Sequence, residues 1–289
     1  MSTSAALDHA LATTASWDVG FVCCAVHDQS GQLGSVGDDT RVVRIASVAK
    51  PLVGYAICIA VEEGTLSLDI PLGVVDGHSV HPNLTVRHLL AHAGGYTFDG
   101  AEAVTAPGRR RMYSNTGFDL LGAALGQAAG MTVAHYISEA VFVPLGMAST
   151  ELRGSPAKDV WSNVRDLGRF LDELLCPTLI SDATFAQFTS VQWPDLAGVV
   201  PGLGSYDPCP WGLGVEIRGH KAPHWTGHNN SPGTFGHFGG SGTFLWIDPD
   251  TTTGPLATVC LTDREFGPWS LDVWPALSDA VLAARATTP

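Results

Sequence analysis

The spacing of apolar positions changes twice along the chain, and the changes divide it into three stretches. Near the N-terminus an alanine-rich segment, residues 5–14, reads as helix. Residues 20–26 form a short apolar run followed by turn residues at 28–31, which predicts a buried strand. A second strand is predicted within 42–45, with the glycine- and aspartate-bearing stretch 31–39 as the hairpin connection. In the middle stretch Leu52, Val53, Ala56, Ile57, Ala60 and Val61 recur at helical spacing. Thr85 caps a short helix over 86–90 that stops before Gly94-Gly95. Further helices are predicted over 118–129, ended by Gly130, from Thr132 toward 144–147, and over 164–175, stopped by Pro177. From Trp211 the strand texture returns at 211–217, 243–247 and 256–261, and a closing helix is predicted over 271–284.

Strands at both ends with helices between them predict an α/β sandwich built from residues 1–67 together with 205–289. Residues 68–204 form an inserted, mainly helical domain, and a ligand cleft is expected between the two. The longest nearly apolar run, 51–61, falls far short of the roughly 20 residues a membrane helix needs. The 289 residues include 28 acidic and 15 basic side chains, a net charge of −13. That excess argues against a nucleic-acid or anionic-lipid partner. The first six residues carry no positively charged segment of the kind that opens a secretory leader, so a cytoplasmic location is expected. Cys23, Cys24, Cys58, Cys176, Cys209 and Cys260 include no C-x-x-C and are expected to be free thiols. His220, His224 and His228 recur every four residues, but Gly219, Pro223 and Gly227 forbid the helix that would align them. No metal and no cofactor are expected.

Of the three lysines, Lys50, Lys158 and Lys221, two complete an S-x-x-K. Ser47 follows a strand-like run and opens an apolar helical one. Pro51 lacks an N–H and is comfortable only in a first turn, so the helix is predicted to begin near Ser47 or Val48. Lys50 then lies about one turn from Ser47 on the same face. The Ser47 N–H is free to meet a ligand oxygen, and a desolvated amine beside a hydroxyl accepts its proton. An ordinary helix cap followed by a solvated lysine has the same four residues. Ser155, between Gly154 and Pro156, reads as loop.

Tyr113-Ser114-Asn115 is the one Y-x-N in the chain. A tyrosine near a lysine serves as a general base and an asparagine amide holds a carbonyl; on these residues alone a packing tyrosine and a turn asparagine are the commoner reading. In residues 237–242 the glycines let a ligand lie along a strand edge and expose backbone N–H donors, although a hairpin turn has the same composition. Residues 239–243 come close to a nucleophile elbow, but Thr243 fills its last glycine position. The run Arg109, Arg110, Arg111 reads as a solvated loop, and His92-Ala93-Gly94 as a second H-x-G between helices.

Taken in order, Ser47-x-x-Lys50, Tyr113-x-Asn115 and His237-x-Gly239 resemble the three motifs of the serine β-lactamase and penicillin-binding-protein superfamily. The resemblance is to the branch holding class C β-lactamases, D-alanyl-D-alanine carboxypeptidases, D-aminopeptidases and related esterases. Stretches 63–69, 84–92, 113–122, 143–147, 211–214 and 243–249 resemble it too, so most of residues 18–285 are covered. The resemblance implies an α/β fold: a β-lactamase/transpeptidase-like antiparallel sheet flanked by helices, with an inserted all-α domain. It implies Ser47 as nucleophile, with Lys50 and Tyr113 sharing the proton traffic and the acylation base open between them. Asn115, His237 and Gly239 become substrate-binding residues, His237 reaching Tyr113 or a substrate carboxylate. The backbone N–H groups of Ser47 and Gly240 become the oxyanion hole. His237 stands where most β-lactamases have lysine, and bulky Phe238 where a small hydroxyl residue follows it. The expected activity is therefore hydrolysis of small esters or amides, of esterase or D-amino-acid amidase type. The alternatives are a penicillin-binding DD-peptidase or β-lactamase, and a non-catalytic member that binds a metabolite or partner. The expected partner is a small ester, amide or β-lactam-like substrate, with no nucleic acid and no membrane.

Overall fold

Strands buried on both faces set the architecture. The computed structural model describes residues 3–286. Its main sheet contains β1 (Val22–Asp28), β2 (Gly31–Val36), β3 (Glu216–Ile217), β4 (Phe235–Gly239), β5 (Thr243–Asp248) and β6 (Leu256–Thr262). The strands are antiparallel, in the order β3-β4-β5-β6-β1-β2. The N-terminal strand thus pairs with the last strand, Cys24 standing opposite Cys260. Side chains alternate between two cores: Cys23, Ala25, Leu245, Ile247, Val259 and Leu261 face one, and Cys24, Val26, Phe244, Trp246 and Cys260 the other. Both cores are apolar, which is why these strands read as unbroken apolar runs. All six cysteines are free thiols.

Helices α1 (Thr3–Ala12) and α8 (Pro268–Ala286) pack against each other on the second face. Across the sheet lie α2 (Ala49–Glu62), α3 (Val86–Leu90), α4 (Asn115–Ala129), α5 (Val133–Ile137), α6 (Val164–Leu175) and α7 (Asp182–Thr189). Ser114, Thr132 and Asn163 cap the starts of α4, α5 and α6, and Gly130 ends α4 in a left-handed conformation. Among the described residues no helix is long and apolar enough to cross a membrane.

Three strand expectations are corrected. Residues 31–36 are not a connection but the edge strand β2, its polar and glycine-rich sequence fitting a strand paired on one side only. Val43–Arg44 leaves the main sheet and pairs with Val160–Ser162. The strand expected over 211–217 shrinks to Glu216–Ile217, because Gly212 and Gly214 turn the chain against α2. There α2 comes close enough that a Cβ on Gly54 would stand 2.5 Å from the Leu213 carbonyl oxygen. The segment expected as a helical insertion also contributes to the sandwich: α6 packs directly on β1 and β6, with His27 Nδ1 2.7 Å from Asp172 Oδ1. Helix α7 has no counterpart among the helices expected from the sequence.

The loop entering β4 is held by a buried charge cluster. Glu216 Oε1 lies 2.9 Å from Lys221 Nζ and 3.2 Å from His224 Nε2, and Trp225 Nε1 donates to Oε2 at 2.7 Å. Burial alone would raise the Glu216 carboxyl, but Lys221 and His224 outweigh it and hold it well below the usual range. Removing one partner of a buried pair leaves the other charge uncompensated. Glu216→Ala is therefore expected to cost about 3–5 kcal/mol in urea unfolding, and Glu216→Gln, which keeps acceptor and volume, clearly less. Equal and negligible losses would remove the cluster from the stability of this loop.

Candidate active site

The chain reaches Ser47 through a strained step. Ala46 adopts φ +47°, left-handed for a residue with a Cβ, and residues 46–48 form a 3-10 turn before α2 begins at Ala49. Two hydroxyls from the β4–β5 hairpin hold this step: Ser241 donates to the Arg44 carbonyl at 2.7 Å and Thr243 to the Ile45 carbonyl at 2.8 Å. Ser241, in the stretch resembling a nucleophile elbow, is thus an anchor. Gly239 packs behind the cleft wall, where a Cβ would stand 2.4 Å from both the Ile45 carbonyl oxygen and Thr243 Oγ1. The missing side chain of Gly239, expected to bind substrate, lets β4 approach the Ser47 turn.

Lys50 is fully buried, and its amine has three partners. Nζ lies 2.8 Å from Asn115 Oδ1, 2.9 Å from the Ala157 carbonyl and 3.1 Å from Ser47 Oγ. Among the described residues no carboxylate pairs with it. Burial drives its pKa well below the usual lysine range, Asp119 and Asp99 opposing and Lys158 adding to the shift. A neutral amine has two N–H donors and one lone pair. In that form the two carbonyl oxygens take the donors and the lone pair faces Ser47 Oγ.

Tyr113 enters the same cleft from the strand before α4. Its hydroxyl lies 3.5 Å from His237 Nε2, and Lys50 Nζ stands 4.7 Å from its ring centre. Burial pushes the phenol up, with Ser47 opposing, so it rests protonated. His237 Nδ1 donates to the Phe238 carbonyl at 2.6 Å, which leaves Nε2 as an acceptor toward Tyr113. Burial, with Lys50 next, lowers the imidazole to about 3, so His237 is neutral at pH 7. The Tyr113 ring lies between His92 at 4.4 Å and Phe98 at 5.7 Å, with Trp211 at 5.8 Å. Phe238 reaches the cleft but packs mainly on Phe266, 4.5 Å away, and Trp274.

Ser47, Tyr113, Asn115, His237 and Gly240 line one cleft of about 730 Å³, with Lys50 behind Ser47. Asn115 spends its Oδ1 on Lys50 and donates from Nδ2 to Asp99 at 3.0 Å, leaving a second N–H for a ligand. Several contributors carry no mark in the sequence. Ala157 and Lys158 belong to the second S-x-x-K, which is indeed a loop but one folded against the site. Arg111, expected in solvent, is buried and donates to the carbonyls of Ala91, Cys209, Gln192 and Trp193. It pins the strand that delivers Tyr113. His92 accepts from the Ser114 N–H at 3.1 Å and stacks on Tyr113. His224 and His228 turn to Glu216 and Asp279, and the described residues hold no cluster of three or more metal-ligating side chains.

An antiparallel sheet with a helical layer, and a serine, lysine and tyrosine meeting between them, define the serine β-lactamase and penicillin-binding-protein superfamily. The chain belongs to the Beta-lactamase family, whose match runs over residues 25–283. It is similar to a solved β-lactamase of Mycobacterium bovis: 47% identity, 95% of this chain and 98% of that one covered, TM-score 0.90. A simvastatin synthase variant from Aspergillus terreus shares the fold at 16% identity, 98% and 95% coverage and TM-score 0.78. Among curated relatives, Penicillin-binding protein 4* of Bacillus subtilis is 27% identical over 134 residues, covering 37% of this chain and 30% of that protein. Esterase EstB of Burkholderia gladioli is 30% identical over 152 residues, 38% of each. The matched stretch thus spans about a third of the length of these curated relatives.

Gly239 gives the direct check on the packing behind Ser47. Gly239→Ala must separate β4 from residues 45–46, and overpacking of this kind costs about 1–3 kcal/mol. A displacement near 1 Å at Ser47 is expected to lower kcat/KM about a hundredfold. Melting curves and ester hydrolysis measure both; an unaltered enzyme would separate this contact from the site.

Proposed function

We propose that this protein is a serine hydrolase that forms an acyl-enzyme on Ser47 and hydrolyses small esters or amides, of esterase or D-amino-acid amidase type. The observation that carries the reading is the partner set of Lys50: two carbonyl oxygens, one hydroxyl and no carboxylate. That set supports Lys50 as the acylation base. Ser47 Oγ attacks the acyl carbon while its proton passes to Nζ, and the carbonyl electrons move onto oxygen. The N–H groups of Ser47 and Gly240 receive this oxyanion, each worth about 3–4 kcal/mol by precedent. The leaving oxygen or nitrogen departs with the Tyr113 proton, while the serine proton stays on Lys50. Water then attacks the ester on Ser47 with the same groups in reverse, releasing the acid.

His237 supports the esterase-type reading over its rivals. A substrate bearing a carboxylate beside its scissile bond, such as a β-lactam or a D-alanyl-D-alanine peptide, needs a cation at the third motif. A buried imidazole with its Nδ1 proton committed to Phe238 supplies an acceptor to Tyr113 instead. The second reading is β-lactamase, favoured by the 47% identity to the Mycobacterium bovis β-lactamase. Short-chain p-nitrophenyl esters are expected to be hydrolysed with much higher kcat/KM than benzylpenicillin. A serine-directed phosphonate should add once by intact mass and not at all in Ser47→Ala. Penicillin turnover exceeding that of the ester restores the β-lactamase reading. Labelling that persists without Ser47 ends both.

The pH profile tests the proton assignment. Activity that needs neutral Lys50 falls as pH drops through its lowered pKa, so kcat/KM should lose activity on the acid side. His237, held at about 3, contributes no titration above about pH 4. Tyr113→Phe is expected to lower kcat/KM at least about a hundredfold while the acid limb stays in place. An acid limb that moves in His237→Gln would transfer the titration to the imidazole.

A further inference from the structure

A second cavity, of about 690 Å³, opens beside the catalytic cleft and shares Phe98, Tyr113 and Pro201 with it. Two features set it apart. Of the nine exposed large apolar side chains among the described residues, Phe98, Val104 and Val199 line this one cavity, so its wall is an apolar surface left open rather than a scatter of single residues. Its rim carries Arg109 and Arg110.

These two arginines are unusual in this chain. Ten of the fifteen lysines and arginines pair with a carboxylate among the described residues. Lys50, Arg111 and Arg218 give their protons to carbonyl or side-chain oxygens. Arg109 and Arg110 are exposed and have no hydrogen-bond or ion-pair partner among the described residues. In a chain of net charge −13, two adjacent unmatched guanidinium groups make a local site where an anion is attracted rather than repelled. Guanidinium forks suit carboxylates in particular.

We propose that this cavity is a substrate subsite for an apolar chain that ends in a carboxylate, the chain lying along Phe98, Val104 and Val199 and the carboxylate meeting Arg109 and Arg110. The inference rests on the serine-hydrolase reading and narrows its substrate class. The carboxylate stands at the far end of the substrate, away from the scissile bond, so the neutral His237 does not oppose it. The ester or amide presented to Ser47 is thus one half of a longer molecule whose other end is anionic.

The experiment compares each anionic ester with its neutral methyl-capped counterpart. In one series the carboxylate is on the acyl side, as p-nitrophenyl monoesters of adipic and suberic acid. In the other it is on the alcohol side, as acetate esters of ω-hydroxy acids. Wild-type enzyme is expected to prefer the anionic member in one series, which identifies the half of the substrate that enters the cavity. In Arg109→Glu/Arg110→Glu the anionic-to-neutral ratio of kcat/KM in that series is expected to fall about tenfold, and about 0.5 M salt should shrink the wild-type preference. Val104→Trp, which fills the cavity, should lower kcat/KM for suberoyl-length chains more than for acetate. A ratio that stays within threefold of wild type in both series overturns the subsite. The neutral esters keep the two ideas distinguishable: loss of their Ser47-dependent hydrolysis in wild type would instead refute the hydrolase reading.

Discussion

A lysine amine buried without a counter-charge is the constraint around which this molecule is arranged. Lys50 has no exposed surface, and a full positive charge there would be costly to keep from water. The fold resolves the conflict by favouring the neutral amine and supplying acceptors for two N–H bonds, from Asn115 at the start of α4 and from the Ala157 carbonyl. Each acceptor comes from a different part of the helical layer, so the layer must be complete before Lys50 can sit where it does. The remaining lone pair has one polar neighbour, Ser47. Burial therefore both favours the neutral amine and turns it toward Ser47.

The other groups follow from the same logic of polar atoms paired in a dry place. Arg111 is also buried without a carboxylate, but it remains a cation because four carbonyl oxygens surround it. Its pKa drops only to about 10 by burial, so it stays charged, whereas burial pushes the Lys50 amine well below the usual lysine range. The two residues show how similar burial bears differently on two cations: the guanidinium ringed by carbonyls keeps its charge, and the amine is pushed toward losing it. Burial likewise lowers His92 and His237, which are neutral, and each uses a ring nitrogen to fix a backbone group near Tyr113.

Much of this is legible in the amino-acid order, for identifiable reasons. Apolar strands bounded by turns and helices closed by Thr, Ser and Gly caps obey local rules, and β5, β6, α3, α4 and α6 lie near their predicted bounds. Ser47, Lys50 and Tyr113 stand out through rarity: three lysines in the chain and one Y-x-N. Contributions made by backbone or by distant partners are hidden. Nothing local marks the Ala157 carbonyl as an acceptor, and Arg111 is inseparable by sequence from the exposed arginines beside it. Strand β2 leaves no apolar run because an edge strand with one exposed face needs none. Glycine in a motif suggests access for substrate, whereas the missing Cβ of Gly239 serves a close contact with Ile45.

The strand order has a consequence for how the molecule comes into being. Strand β6, Leu256–Thr262, lies between β1 and β5, and it is the last strand to leave the ribosome. Until it arrives, the strand pair that carries His237 has no sheet partner linking it to the strands at the N-terminal end. Ser47 and Lys50 are made in the first fifth of the chain, yet the wall that faces them is closed only by residues near its end. Ser47 is therefore synthesised long before it can be placed. A chain interrupted before residue 256 would carry every motif residue and still lack the frame that brings them together.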